Sequence, residues 1–366
     1  MNRRIFKEET TENGEIPFYK IGTFGTTADA YISRSLFEKY KEKYPYPAKG
    51  DLLISASGSI GRIVEYNGED EYFQDSNIVW LKHDNRLINS FLKQFYSIVK
   101  WEGLEGSTIK RLYNKNILET KIELPKPQEQ TKIGNFFKQL DETIALHHRE
   151  LELLKLTKKS FLQQLFPDSQ QISPNIRFAN YHEDWEQRKL GEYVIDYVEK
   201  TTVQNQFPVL TSSQKQGIVL QEKYFTNRQV TTDNNIGYYV LPKGYFTFRS
   251  RSDNDIFVFN RNDIIDKGII SYFYPVFTLK KADSNFFLKR INNGIQRQLS
   301  IQAEGTGQHV LSLKKFKSIV TMFPSIEEQQ KIGLLFKQLD ETITLQERKL
   351  ENLKIVKSAF LQKMFI

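Results

Sequence analysis

The chain contains no cysteine. Within it, that excludes a disulfide scaffold, a thiolate-held zinc or iron–sulfur site and a cysteine nucleophile. Histidine is nearly as scarce: the five stand at positions 83, 147, 148, 182 and 309. Only His147 and His148 adjoin, and neighbours on a helix face different ways, so no histidine metal site is expected. No apolar run approaches the roughly 18 residues that span a bilayer. The opening Met1-Asn-Arg-Arg-Ile-Phe-Lys-Glu-Glu9 lacks a signal peptide's apolar stretch. The expectation is a cytoplasmic protein with no membrane partner. No G-x-x-x-x-G-K-[ST] loop is present to cradle nucleotide phosphates, and no Asn-Pro-Pro-aromatic run of the amino-methyltransferase kind. Pro167-Asp168 is not followed at a usable distance by acid-x-Lys, so no carboxylate pair for Mg²⁺ is evident. Ser57-Gly-Ser-Ile-Gly61 is a fragment of a dinucleotide loop leading into a strand-like run, and reads better as a tight hairpin. The chain is expected to be no enzyme by itself and to carry no cofactor or metal.

Charge and length say what is there. Lys plus Arg number 52 against 44 Asp plus Glu, a net charge of +8 whose sign suits a polyanion. At 366 residues the chain has room for two to three domains. It also contains itself twice. Glu129–Phe166 recurs as Glu328–Phe365 at an offset of 199 without a gap, roughly two thirds of the positions being identical. Pro125 falls on Pro324, Leu112 on Leu311 and Gly106-Ser107 on Gly305-Thr306 at the same offset. The segments before the repeats share little. Duplication of a unit made of a variable domain plus a helix explains this layout, and implies pseudo-two-fold symmetry.

The repeat reads as helix. In the first copy Ile133, Phe137, Leu140, Ile144, His147, Leu151, Leu154, Lys158, Phe161 and Leu165 follow steps of four and three, the signature of a coiled-coil seam. The second copy keeps it with Ile332, Phe336, Leu339, Ile343, Gln346, Leu350, Leu353, Lys357, Phe360 and Met364. A helix from Ile133 to Leu165 would be about 50 Å long. Pro127 suits a first helical position, Ser325-Ile-Glu-Glu328 reads as a capping box, and Pro167 stops the first copy. A break near Gly134 and Gly333 is one reading of the pattern. In an antiparallel pairing, polar seam positions face one another when residue numbers sum to 504: His147 against Lys357, Lys158 against Gln346. Parallel pairing at equivalent positions would match polar with polar too, but would place both β-rich domains at the same end.

The remaining segments are strand-rich. Phe207–Ser212, Ile218–Phe225, Ile236–Val240, Tyr245–Ser250, Asp255–Asn260 and Ile269–Leu279 are expected strands in the second, and Pro17–Gly22, Asp51–Ser55, Ile60–Tyr66 and Asn77–Leu81 in the first, with a helix at Leu87–Trp101. The expected fold class is α+β: two β-rich domains related by a pseudo-two-fold and joined by two long helices in an antiparallel coiled coil. The expected boundaries are 1–124 for the first domain, 125–167 for the first helical repeat, 168–179 for a linker, 180–323 for the second domain and 324–366 for the second repeat.

This layout, with Glu328-Gln-Gln-Lys-Ile-Gly333, Leu339-Asp-Glu-Thr-Ile343 and Leu361-Gln-Lys-Met-Phe365, resembles the specificity subunits of type I restriction-modification systems. Trp185-Glu-Gln-Arg-Lys-Leu-Gly-Glu192 resembles the lead-in to that family's target-recognition domains, and Gly305-Thr-Gly-Gln-His-Val-Leu-Ser312 the segment that closes one. The resemblance implies a non-catalytic, sequence-specific DNA-recognition subunit. Each recognition domain would read half of a bipartite target on double-stranded DNA. The coiled coil would space the domains and dock two methyltransferase (modification) subunits. Restriction (translocase and nuclease) subunits complete such complexes; S-adenosylmethionine, ATP and Mg²⁺ belong to the partners. Trp185–Glu192 has no counterpart in the first domain, which is expected to be short at its N-terminus. The alternative reading is a coiled-coil scaffold tethering two β-rich protein-binding modules with no DNA specificity.

Candidate DNA contacts follow. Phe248-Arg-Ser-Arg-Ser-Asp-Asn254 leaves a strand into a turn. Arg249 and Arg251 are of the type that bonds guanine O6 and N7 in pairs, with Ser252 and Asn254 as accessory contacts. The alternative is a solvated hairpin whose arginines pair with Asp253 and Asp255. If Gly50 matches Gly244, then Ser55 matches Arg249 and Ser57 matches Arg251, which makes Ser55, Ser57 and Ser59 the first domain's candidates. Lys110, Arg111, Lys314, Lys315 and Lys317 are phosphate-contact candidates or plain surface charges. Gln308 and His309 form a further pair. Tyr272-Phe-Tyr274 suits either sheet core or base stacking.

Overall fold

The computed structural model describes residues 1–102, 110–167, 171–225, 234–305 and 308–365. Gly106-Ser107, Thr306-Gly307 and 168–170 of the expected linker lie outside the described residues. Two compact units make up the chain: Met1–Arg149 with Arg348–Ile366, and Glu150–Glu347. Each holds one strand-rich domain and one stretch of two antiparallel long helices, so the boundary crosses both helices mid-length.

In the first unit, Leu52–Ser55 lies between Ile63–Glu65 and Ile78–Trp80, antiparallel to both. Ile16–Tyr19 pairs with Tyr31–Ile32 antiparallel and with Tyr72–Phe73 parallel. Helix Asn89–Ile98 lays Leu92 and Tyr96 onto the Leu52 and Ile54 side of the sheet. In the second unit Phe246–Phe248 lies between Phe259–Arg261 and Val276–Leu279, and Val194–Tyr197 extends the sheet beyond Val276–Leu279, all antiparallel. Its core is a phenylalanine cluster: Phe246, Phe248, Phe259, Phe277, Phe286 and Phe316 are at most 1 % exposed. Each such ring contributes roughly 1.5–3 kcal/mol by leaving water. The stretch expected as one strand at Ile269–Leu279 is two, Lys267–Ile270 and Val276–Leu279, and Ile218–Phe225 is a strand to Leu220 followed by a helical turn, Gln221–Tyr224.

The central strands confirm that the two domains share one frame. Gly50 and Gly244 both take positive φ at the turn before the strand (92° and 81°). Ala56 N–H donates to the Asn77 carbonyl, and Leu112 N–H to that of Ala56; Ser250 N–H donates to the Phe273 carbonyl, and Leu311 N–H to that of Ser250. Ser57 bridges to Arg111 as Arg251 does to Val310. Ser57 therefore occupies the position of Arg251, and Asn77 that of Phe273.

Both long helices are continuous, Pro127–Gln164 and Ile326–Met364, so the break allowed at Gly134 and Gly333 does not occur. Each glycine instead seats the domain's helix. A Cβ on Gly134 would meet Ser90 Oγ at 2.1 Å, and one on Gly333 would meet Asp283 Oδ1 at 2.1 Å. One turn earlier, Gln130 and Gln329 are buried: their Oε1 atoms accept from Ile88 N (2.9 Å) and Asp283 N (3.2 Å), the N-cap residues of Asn89–Ile98 and Ser284–Asn292. Ser325 caps its helix, accepting from Glu328 N at 3.4 Å. The Glu328 carboxylate does not complete a capping box; it takes a paired bond from Arg177 at 3.0 and 2.7 Å.

The seam is buried or half-buried at the four-three positions of the first copy, and of the second through Lys357. Beyond that it slips by one residue: Phe360 is 38 % exposed and Leu361 7 %. The pairing is antiparallel but its register is not 504. Lys158 Nζ bonds Asp340 and Lys357 Nζ bonds Asp141, both at 2.5 Å and both with numbers summing to 498. Gln346 donates to Glu150 at 2.6 Å. The seam-to-seam pairing nearest these contacts sums to 497, one heptad from the expected one. It sets Lys158 against Leu339 and Lys357 against Leu140, the residues just before Asp340 and Asp141. The physical reason is that lysine is amphipathic. Its stem covers the facing leucine while its ammonium reaches the adjacent carboxylate, whereas the 504 register would set His147 against a lysine with no counter-charge.

Candidate nucleic-acid interface

In the second unit the hairpin Leu210–Ser213/Gly217–Leu220 stands beside the turn that follows Phe246–Phe248. Ser213 Oγ accepts from the N–H groups of Lys215 and Gln216 at 3.3 and 3.2 Å, which fixes the hairpin tip. Asn260 Nδ2 donates to Ser212 Oγ (2.8 Å) and to the Ser213 carbonyl (2.9 Å), tying the hairpin to the sheet. Between them lies a cleft of about 600 Å³ whose walls include Lys215, Tyr224, Arg249, Arg251, Asn254 and Asn260.

Both arginines are exposed. Arg251 lies 4.5 Å over the Phe273 ring, which holds a planar fork without using its N–H donors. The pairing with Asp253 and Asp255 that the sequence allowed is not formed. Gln308 Nε2 donates to Asp253 at 3.0 Å and His309 Nδ1 lies 2.5 Å from Asp255. The closing segment thus lies against both carboxylates, and the guanidinium groups are left to the cleft. Ser252 is buried and donates to Asn254 Oδ1 and the Ile256 carbonyl at 3.0 Å each; it shapes the loop, and Asn254 stays at the surface. Burial raises the Tyr274 hydroxyl's pKa, with Arg249 pulling the other way, so at neutral pH it is a neutral donor. Lys215 and Tyr224 join the site only in the folded chain; the one local signal for Lys215 is the Ser-Gln-Lys-Gln tip between two apolar runs.

In the first unit the serines divide. Ser55 is buried, accepts from Arg62 N at 2.8 Å and donates to the Ser59 carbonyl, so it belongs to the turn. Ser57 is 7 % exposed and donates to Asn77 Oδ1 at 2.7 Å. Ser59 and Lys110 are exposed. A cleft of about 730 Å³ opens at Asn77 and Arg111, with Arg4, Lys7 and Lys20 and the carboxylates Glu12, Asp29 and Asp75 also in its walls. Lys315 pairs with Glu304 and Lys317 with Asp196, at 2.8 and 2.9 Å. Tyr272 is exposed while Phe273 supports Arg251. No cluster of three or more metal-binding side chains and no helix long and apolar enough to cross a membrane occurs among the described residues.

Known proteins share this architecture. The family described as type I restriction modification DNA specificity domain matches residues 1–156 and 182–354. A Haemophilus influenzae protein named as a type I restriction enzyme specificity subunit is 58 % identical over 134 residues, 36 % of this chain and 35 % of that protein. Two Methanocaldococcus jannaschii proteins, also named as type I specificity subunits, are 22 % and 23 % identical over 84 % and 88 % of this chain, and 76 % and 80 % of their own lengths. The crystal structure of a type I restriction-modification S subunit from M. genitalium superposes with a TM-score of 0.57 at 15 % identity, covering all of this chain and 92 % of that one. That likeness is one of fold.

Proposed function

The chain belongs to the type I restriction modification DNA specificity domain family, and from that premise we propose that it is the subunit that chooses the DNA target, each of its two domains reading one half of a bipartite site. The observation that carries this is the shared frame with unlike contents. The strand after Gly50 and the strand after Gly244 are equivalent, and each domain holds a cleft with arginine in its walls, Arg4 and Arg111 in one and Arg249 and Arg251 in the other, yet the residues at matching positions differ. Two different half-sites require that, since base edges are told apart by the donors and acceptors presented to them.

The long helices serve partners. Leu146 and Leu345, 199 residues apart, are 56 % and 68 % exposed, and Leu156 and Ile355, again 199 apart, 61 % and 57 %. Apolar residues held exposed at the same positions of both repeats support two docking sites of one kind, for two methyltransferase subunits. Restriction subunits, and the S-adenosylmethionine, ATP and Mg²⁺ of the chemistry, belong to the assembled complex; the site of action is the cytoplasm. By itself the chain holds and orients DNA and breaks no bond. A scaffold without DNA specificity is the competing reading. Binding to duplex DNA of random sequence, measured with the modification subunits at several salt concentrations, separates the two. Affinity falling linearly in log–log form with salt is expected, with a slope of about −0.9 per phosphate neutralised. Absence of binding, or binding indifferent to salt, overturns the proposal.

A further inference from the structure

The domain equivalence assigns a role to Arg111, which the sequence alone offers only as a phosphate contact or a plain surface charge. Three positions meet where the central strand leaves the sheet. In the second unit they are Arg251, Phe273 and Val310: Arg251 pairs with Val310 across the ladder and rests on the Phe273 ring at 4.5 Å. In the first unit the same three are Ser57, Asn77 and Arg111, with Ser57 bridged to Arg111. The guanidinium is present in both units, but it arrives from the opposite strand.

Its support changes with it. Asn77 Oδ1 accepts from Arg111 Nη2 at 2.9 Å and from Ser57 Oγ at 2.7 Å. Ser57 thereby fixes the amide, and the amide holds one edge of the fork. The side chain of Arg111 is half-buried and lines the 730 Å³ cleft, and it makes no ion pair among the described residues. A guanidinium held by one neutral acceptor keeps the remaining N–H groups for a bidentate partner. A surface arginine that serves only as charge has no need of a second-strand serine to set its anchor.

We propose that Arg111, positioned by Asn77 and Ser57, is the base-reading arginine of the first domain and the counterpart of Arg251 in the second, with guanine's O6 and N7 edge as its ligand. This rests on the function proposed above. The serines at 55, 57 and 59 then act through the turn and the anchor.

The test maps methylation in the complete complex, with wild type, Arg111→Ala, Arg111→Lys and Arg251→Ala side by side. Arg111→Ala is expected to relax one half-site by about tenfold or more at a single base position and leave the other half-site intact, while Arg251→Ala relaxes the other. Retained reading of the second half-site shows that the Arg111→Ala chain is folded. Arg111→Lys keeps the charge but not the fork, so it should stay relaxed. Full selectivity in Arg111→Lys makes Arg111 a phosphate contact and overturns the inference, as does unchanged selectivity in Arg111→Ala or equal loss at both half-sites. A wild-type complex with no sequence preference overturns the proposed function itself; selective wild type with indifferent Arg111 variants overturns only this assignment.

Discussion

Gly333 shows how a single residue's sign of effect depends on its neighbours. Inside an exposed helix, glycine to alanine stabilises by roughly 0.5–1 kcal/mol through backbone entropy. Here the added Cβ would meet Asp283 Oδ1 at 2.1 Å and the Phe286 backbone nitrogen at 2.9 Å. Asp283 is the N-cap of Ser284–Asn292, accepting from Phe286 N at 2.8 Å, so the overlap falls on a cap and on backbone that cannot swing away. Gly333→Ala is expected to destabilise the protein by about 1–3 kcal/mol through overpacking, against a control such as Gly22→Ala, whose Cβ would meet nothing within 4 Å. Denaturant unfolding of both variants checks this; a stabilised Gly333→Ala would mean the domain helix is not held where the structure has it.

Among the elements, the coiled coil depends on charge as well as on its seam. Asp340 accepts from Lys158 on the facing helix at 2.5 Å and from Lys289 of the domain at 2.6 Å. Burial pushes the Asp340 carboxyl up, but the two ammonium groups outweigh it and hold the carboxyl below the usual carboxylate range. Burial also pulls Lys289 below the usual lysine value, with Asp340 opposing. Each shift means that the unfolded chain binds more protons than the folded one, so stability rises with pH through each window. For Asp340 the contribution is complete above its unfolded value, near 4, and is lost as pH falls through the depressed folded value. Asp340→Asn leaves two half-buried ammonium groups without their shared partner. It should be less stable than wild type at pH 7 and lose less on going to pH 3. Urea unfolding across that range gives the comparison; a gap between the two proteins that does not narrow on acidification would show that Asp340 contributes no charge-dependent stability.

Over the whole molecule the consequence is modularity. Each unit closes its own core, the second around the phenylalanine cluster and the first around the separate clusters of Leu52 and Ile16. Changes in one cleft should therefore leave the other reading its half-site. Arg249→Ala with Arg251→Ala is expected to cost about 1–3 kcal/mol of discrimination per lost bidentate contact, confined to one half-site, as read from methylated positions in the complete complex. Equal loss at both half-sites would show that the domains do not read independently.

The duplicated layout, the helical repeat and its seam were legible in the residues alone, because a four-three spacing and a 199-residue offset are one-dimensional patterns. The match of Gly50 to Gly244, and so of Ser57 to Arg251, was legible for the same reason: a turn glycine followed by a strand leaves its mark locally. Register was not. Matching polar with polar is a rule about seam residues, and the contacts that decided it run from Lys158 and Lys357 to Asp340 and Asp141, which lie beside the seam on the partner helix. Gly134 and Gly333 read as weak points of a helix until the domain helices came to rest on them. Arg111 was legible only as a phosphate contact or a surface cation, because its link to Asn77 spans 34 residues and its likeness to Arg251 exists only once the strands are side by side. Periodicity is written along the chain; which side chains share a cleft is set by the pairing of strands that lie far apart in it.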